Sequence, residues 1–351
     1  MNSIPAPCGR PRLPHLLPAL LLLLSLAGCR PGTQTGSVVV LRAATNNTID
    51  SGHYAGLLIF KRLVEERTGG QVRVVLYSDG VLGDEEEMIE GMKMGTVHAM
   101  MAAAAKYANF VPEMDLYSMP YLFTGWPHYK AVMRSEVDEH IRQAVREQTG
   151  DFYAGCFTDG VRNVFTRQPV PSLEALQGLK LRTMTGPNEV RAWKALGTHP
   201  TPLAYTELYA ALQAGVVDGA ENTMTSLLTM RFHESCKYVL RTQHNFLALP
   251  FFVSAKALEK VPEPWRDTIR QAARDACAEQ VDSAICLDQD NEQVLKEQHR
   301  VEVFEFADTD AGRARAACEP VLRSNAERIG MAADYDLIRK LAMALEQTAT
   351  P

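Results

Sequence analysis

The chain lacks the short signatures that carry most enzyme chemistry. It contains no Gly-x-Ser-x-Gly, no His-Glu-x-x-His, no phosphate-cradling glycine loop and no dinucleotide fingerprint. An enzyme is therefore without support, and no cofactor is implied. No Cys-x-x-Cys occurs, so zinc and thiol-redox motifs are also unsupported. The histidines after the leader show no metal-ligand spacing beyond His233 and Cys236, a weak coincidence. No basic stripe is present and the formal net charge is -6, which argues against nucleic acid as a partner. There is no internal repeat, and no second apolar stretch of membrane-spanning length.

What is present begins with a leader. Arg10 and Arg12 precede an apolar run, Leu16 to Leu26, broken only by Pro18 and Ser25. Spanning a bilayer takes roughly 20 apolar residues, so the run reads as the core of a secretion signal over residues 1–28. It ends in Leu26-Ala27-Gly28-Cys29, a bacterial lipobox, which predicts cleavage before Cys29 and lipid attachment there. Residues 29–37 read as a flexible tether. Losing Arg10 and Arg12 leaves 34 Lys+Arg against 42 Asp+Glu and a net charge of -8. Of seven cysteines, Cys8 leaves with the leader and Cys29 is the anchor. Five remain, an odd number, so complete pairing within one chain is impossible.

From Val38 onward strand and helix signals alternate. Val38 to Ala43 and Val72 to Tyr77 read as strands, with Leu57, Leu58, Phe60, Leu63 and Val64 at helical spacing between them. Asp84 to Met94 reads as a helix with four acids in its first turn, taken as a solvated amino terminus. Val97 to Ala105 reads as a buried strand. The pattern restarts with strands at 152–157, 162–166, 179–184, 202–205 and 247–253, and helices at 187–196 and 206–214. Few breakers interrupt 264–299, which predicts one or two long helices. The order predicts covered, mostly parallel sheets in two α/β units with a cleft between them. Within that pattern Arg162 and Arg182 sit on short apolar strand-like runs. A guanidinium is costly there unless an anion pairs with it, and its fork fits a carboxylate bidentately.

Several motifs in order resemble the solute-binding proteins of TRAP transporters, the DctP family, over about Val38 to Ile338. They are Glu66-Arg67-Thr68-Gly69-Gly70, Val81-Leu82-Gly83-Asp84, Gly178-Leu179-Lys180-Leu181-Arg182, Ala195-Leu196-Gly197 through Pro200-Thr201-Pro202, Glu207 to Gly219, and Glu221-Asn222. Thr223 stands where the family commonly has proline.

The resemblance implies a two-lobed, periplasmic-binding-protein-like α/β fold with hinge strands and a long helix spanning both lobes. Lobe I would comprise 38–159 plus 248–288, and lobe II 160–247 plus 289–351. It implies capture of a small organic anion outside the cytoplasm and delivery to TRAP permease subunits, in some relatives with a tetratricopeptide-repeat accessory protein. By the same resemblance Arg182 pairs with the ligand carboxylate, Arg162 lies near the same group, Asn222 closes over it, Tyr205 lines the pocket, and Asn46 contributes from the other lobe. The segment Met100 to Ala105 is more apolar than in sialic-acid-binding members, which favours a ligand with an apolar body. The other readings are a structural ion pair of Arg182 with Asp159 or Glu207, a helix-capping role for Asn222, a mainly hydrophobic ligand, and a scaffold that binds nothing.

Overall fold

The computed structural model describes residues 38–349. Eleven strands are present among them: β1 (Val39–Ala44), β2 (Val72–Tyr77), β3 (Ala99–Met101), β4 (Phe152–Phe157), β5 (Val161–Thr166), β6 (Lys180–Thr183), β7 (His199–Pro202), β8 (Gly219–Asn222), β9 (Tyr238–Phe246), β10 (Leu249–Val253) and β11 (Glu302–Glu305). The helices are α1 (Gly52–Arg67), α2 (Glu85–Met94), α3 (Ala104–Tyr107), α4 (Trp126–Val132), α5 (Glu136–Thr149), α6 (Pro187–Ala195), α7 (Leu208–Ala214), α8 (Met224–Thr229), α9 (Ala255–Glu259), α10 (Glu263–His299), α11 (Asp308–Arg328) and α12 (Ala332–Ala349). No helix among the described residues is long and apolar enough to cross a membrane.

The strands form two sheets, one per lobe. The first runs β2-β1-β3-β10-β4 and the second β11-β9-β5-β8-β6-β7. Both are mixed, where mostly parallel sheets are expected from the strand–helix order. In the first, β10 pairs antiparallel with both β3 and β4. In the second, β5 lies antiparallel to β8 and β9. The cause is the crossing connections. β4 leads from the first sheet straight into β5 of the second, and β9 returns through β10, so each sheet takes in strands from a distant part of the chain.

Local signals set the element ends. Ser51 caps α1 by accepting from Tyr54 N. Asp84 and Glu87 close a capping box on α2, and Gly95 ends that helix in the left-handed region. Apolar faces then find the sheets. Phe60 and Val64 of α1 and Ile269, Ala273 and Ala276 of α10 bury against Phe251 and Val253 of the first sheet. A second cluster joins Leu181, Trp193 and Leu240 to Cys318 and Leu322 of α11 and Tyr335 of α12.

Helix α10 has 37 residues, about 55 Å at 1.5 Å per residue. It packs on α1 and β4 of the first lobe and on α8 of the second. Gln280 fastens it to the crossing. Its side chain accepts from Thr158 N at 3.0 Å and donates to Gly52 O and Thr158 O at 3.0 and 2.6 Å. Gly160, two residues on, has φ +116°, and a Cβ there would meet Asp288 of α10 at 2.2 Å, so only glycine fits the turn between the lobes.

Several expected elements differ. The strand expected at 202–205 is His199–Pro202, and Tyr205–Glu207 is a short 3-10 turn instead. Val97 to Ala105 holds only the three-residue β3 before the backbone turns into α3. Strand β9 and helices α4, α5 and α12 have no counterpart in the sequence reading.

Candidate functional site

A small cavity of about 40 Å³ lies between the lobes, so a ligand larger than a few water-sized groups needs the lobes to part. One wall carries Asn46, Asn47, His53, Glu85, Ala103 and Lys106 from the first lobe. The other carries Arg162, Arg182, Met184, Tyr205, Asn222 and Ser226, and Leu247 and Leu249 complete the lining. The five residues anticipated from the sequence therefore meet at one place: Arg182 on β6, Arg162 on β5, Asn222 at the end of β8, Tyr205 in the 3-10 turn, and Asn46 after β1. Cys29 lies outside the described residues.

The two arginines are in different electrostatic states. Arg162 is 3% exposed and forks onto Glu221, with Nε to Oε2 at 2.5 Å and Nη2 to Oε1 at 2.6 Å. Nη2 also donates to Glu221 O at 2.9 Å and Nη1 to Asn222 Oδ1 at 3.1 Å. Burial opposes its charge, but the Glu221 carboxylate outweighs burial and raises the guanidinium pKa. For Glu221 burial works upward, yet Arg162 and His244 together hold it well below the usual carboxylate range. His244 Nε2 lies 3.1 Å from the same carboxylate, and burial lowers the pKa of that imidazole against the pull of Glu221. Arg162 is thus a neutralised wall rather than a free cation.

Arg182 is 1% exposed. Its Nε and Nη2 both donate to a backbone carbonyl, Leu203 O, at 3.1 and 2.8 Å. It forms no salt bridge among the described residues; neither Asp159 nor Glu207 pairs with it. Asp159 is occupied by Gly52 N, Thr223 Oγ and Ser226 Oγ, and Glu207 is exposed. Burial pulls the pKa of Arg182 down, with Arg162 adding to the effect and Glu221 opposing it. A guanidinium remains protonated all the same. The result is a desolvated cation facing a cavity with Nη1 uncommitted. Removing an ion from water costs several kcal/mol unless a counter-charge is supplied.

Around it the polar groups are aimed by short contacts. Asn47 Nδ2 donates to Asn46 Oδ1 at 2.9 Å and lies 2.9 Å from His53 Nδ1. Burial, then Arg162, lowers the His53 pKa to about 3, so its ring is neutral. Tyr205 stands with its ring 5.8 Å from Arg182 Cζ, and its buried hydroxyl has no hydrogen-bond partner among the described residues. Asn222 does not cap the following helix; Thr223 does, accepting from Ser226 N, while Asn222 Oδ1 accepts from Thr223 N at 2.9 Å.

Glu85 and Lys106 escaped the sequence reading. Glu85 belongs to the acidic run taken as a solvated helix terminus, but it is buried and accepts from Ala103 N at 2.8 Å. Consecutive helical residues point about 100° apart, so one acid of the run faces the cleft while its neighbours face water. Burial raises the Glu85 pKa, against the pull of Ala103 N, Lys106 and Arg182. The side chain of Lys106 is 6% exposed and bonds Glu86 Oε1 at 2.9 Å. The Leu-Gly-Asp-Glu element was a usable signal for Glu85; nothing in the sequence marked Lys106. Of the apolar segment Met100 to Ala105 only Ala103 lines the cavity. Ala103 and Ala105 touch Met184 across the mouth as a small separate cluster. There a Cβ on Gly186 would stand 3.2 Å from the Ala105 Cβ, and Thr185 Oγ reaches Glu86 Oε1 at 3.4 Å.

An anion-seeking guanidinium enclosed between two α/β lobes, with a helix clamping their crossing, defines a solute-binding protein. Comparison with known proteins specifies which kind. Residues 43–328 match the family model described as bacterial extracellular solute-binding protein, family 7 (DctP), and the chain belongs to that family. It is 30% identical over 240 residues to a solute-binding protein of Sulfitobacter sp. (strain NAS-14.1), covering 68% of this chain and 73% of that one. A solved TRAP periplasmic solute-binding protein from Sulfitobacter sp. with bound α-D-taluronate superposes with a TM-score of 0.81 at 27% identity, covering 86% of this chain and 97% of that one. The sugar acid-binding protein DctPAm from Advenella mimigardefordensis, in complex with galactonate, gives 0.81 at 25% identity, covering 86% and 98%. The two-lobed fold anticipated from the sequence is that of these structures.

Proposed function

We propose that this chain captures a small hydroxylated carboxylate outside the cytoplasm and hands it to a TRAP-type permease. One observation carries the reading: Arg182 is a buried cation beside a cavity, with no carboxylate of its own. A ligand carboxylate supplies the missing charge, and the bond gains strength as the lobes exclude water. Asn222 and the Tyr205 hydroxyl complete that end, and Asn46 faces them from the other lobe. Arg162, already committed to Glu221, fixes Asn222 in place. Ten of the fourteen lining residues bring polar groups, which suits a ligand carrying several hydroxyls. This reading replaces the apolar body expected from Met100 to Ala105. The closing movement would bring 38–159 plus 248–288 against 160–247 plus 289–351. Sugar acids bound in the related proteins point the same way. Attachment through lipid at Cys29 rests on Leu26-Ala27-Gly28-Cys29, and incorporation of labelled fatty acid that is lost in Cys29→Ser would be its signature.

Calorimetry with D-glucuronate, D-galactonate, D-erythronate and 4-methylpentanoate decides the class. Micromolar or tighter binding of a hydroxylated acid, with none of the apolar one, is expected. The reverse preference would overturn the ligand assignment, and retention of full affinity in Arg182→Ala would overturn the site.

A further inference from the structure

We propose that a second groove, remote from the cleft, binds a phosphate-bearing anion. It is an open groove of about 490 Å³ between α5, the start of β4, α9 and the first third of α10, and shares no residue with the cavity described above. Five arginines face it. Arg142 and Arg146 lie one turn apart on α5; Arg266, Arg270 and Arg274 lie at successive turns on α10. Like charges four residues apart on a helix repel, and two such stripes confront each other here, on a chain whose net charge is -6.

Acids are nearby, but they do not pair with all five. Arg142 is committed to Asp138, at 2.6 Å, and to Tyr153 O. Arg270 pairs with Asp267 at 2.7 Å, and Arg266 stands 3.6 Å from Glu263 while donating to two backbone carbonyls. Arg146 and Arg274 have no ion-pair partner among the described residues, and both are exposed. The acids lining the groove are Glu139, which stands 3.8 Å from Arg142, Asp151 and Glu259. Asp151 is buried and spends an oxygen on Ala255 N at 2.9 Å, and burial raises its pKa.

The guanidiniums are also oriented. Arg274 and Arg270 lie 5.1 and 5.9 Å from the ring of Phe152, and Arg142 lies 4.9 Å from that of Tyr153. Stacking holds planar forks in place, so less freedom is lost on binding. One carboxylate satisfies one fork. A phosphate carries up to two charges and several acceptor oxygens in one compact group, which suits several forks converging on a single groove. The source is either a free phosphate compound or the headgroup of an anionic lipid.

The test uses the mature chain, without residues 1–28 and with Cys29→Ser, so that neither the apolar leader nor an attached lipid can carry it onto vesicles. Inorganic pyrophosphate is titrated by calorimetry at low salt. In parallel the protein is floated with phosphatidylglycerol and with phosphatidylcholine vesicles. Saturable pyrophosphate binding without flotation identifies a free phosphate compound. Flotation on phosphatidylglycerol alone, competed by pyrophosphate, identifies a headgroup. In either case the double substitution Arg146→Gln and Arg274→Gln should weaken binding roughly tenfold or more. Its melting temperature and its affinity for the cleft ligand should be unchanged, since both side chains are exposed and distant from the cleft. No saturable binding of either probe, or equal binding by the double variant, would overturn the assignment.

Discussion

Replacing each cleft arginine by methionine should separate ligand binding from folding, because the two side chains differ in what they leave behind. In Arg182→Met a buried cation disappears without breaking a salt bridge, although Glu221 and Glu189 lose its longer-range attraction. One carbonyl, Leu203 O, loses its donor, a cost of about 1–3 kcal/mol. Removing the desolvated charge offsets this, so the melting temperature of the ligand-free protein should move by only a few degrees. Affinity for a carboxylate ligand should fall by about 2–5 kcal/mol, roughly 30-fold to several-thousand-fold. In Arg162→Met the balance reverses. Glu221, 0% exposed, would be left as a buried carboxylate without its bidentate partner, with His244 at 3.1 Å and Arg182 acting on it only at longer range. Breaking a buried pair in this way costs about 3–5 kcal/mol of folding stability. That loss should shrink in mild acid, where the stranded Glu221 can take up a proton. Urea denaturation at two pH values and calorimetry with the same ligand give both readouts. If Arg182→Met unfolds the protein as severely as Arg162→Met, or binds ligand as wild type does, the division between a committed and an uncommitted guanidinium is wrong.

Three further outcomes are expected. Burial raises the pKa of Asp288 to about 7 and that of Asp159 to about 6, against about 4 unfolded. Stability from these groups is therefore complete below about pH 4 and is lost as pH rises to about 7. Asp288→Asn should flatten that decline by a few kcal/mol in denaturation curves between pH 4 and 8; parallel curves for the two proteins would refute it. Ala105→Phe should hold the cleft mouth apart, enlarging the scattering radius and weakening ligand binding tenfold or more, and an unchanged dissociation constant would refute the contact's role in closure. Lys106→Met should cost about 1–3 kcal/mol of affinity for a hydroxylated acid but little stability, since its partner Glu86 is 42% exposed. Loss of stability without loss of affinity in a denaturation and calorimetry pair would make Lys106 structural.

The sequence by itself determined the elements whose signals are local. Ser51, the Asp84–Glu87 capping box and Gly95 mark helix ends from within a few residues, and the unbroken run to His299 could only be helical. Arg162, Arg182, Tyr205 and Asn222 were legible because a guanidinium on a short apolar strand, or a motif in family order, is unusual at its own position. Tertiary structure decided what depends on distant neighbours. It paired Arg162 with Glu221, 59 residues away, and left Arg182 with a lone carbonyl. It turned Glu85 inward and its neighbours outward, and it brought Lys106 into the cavity through Glu86. It also mixed the strand directions by passing the chain twice between lobes. An ion pair's partner, a side chain's exposure and a sheet's order are relations across space, set by how faces pack, and no spacing along the chain encodes them.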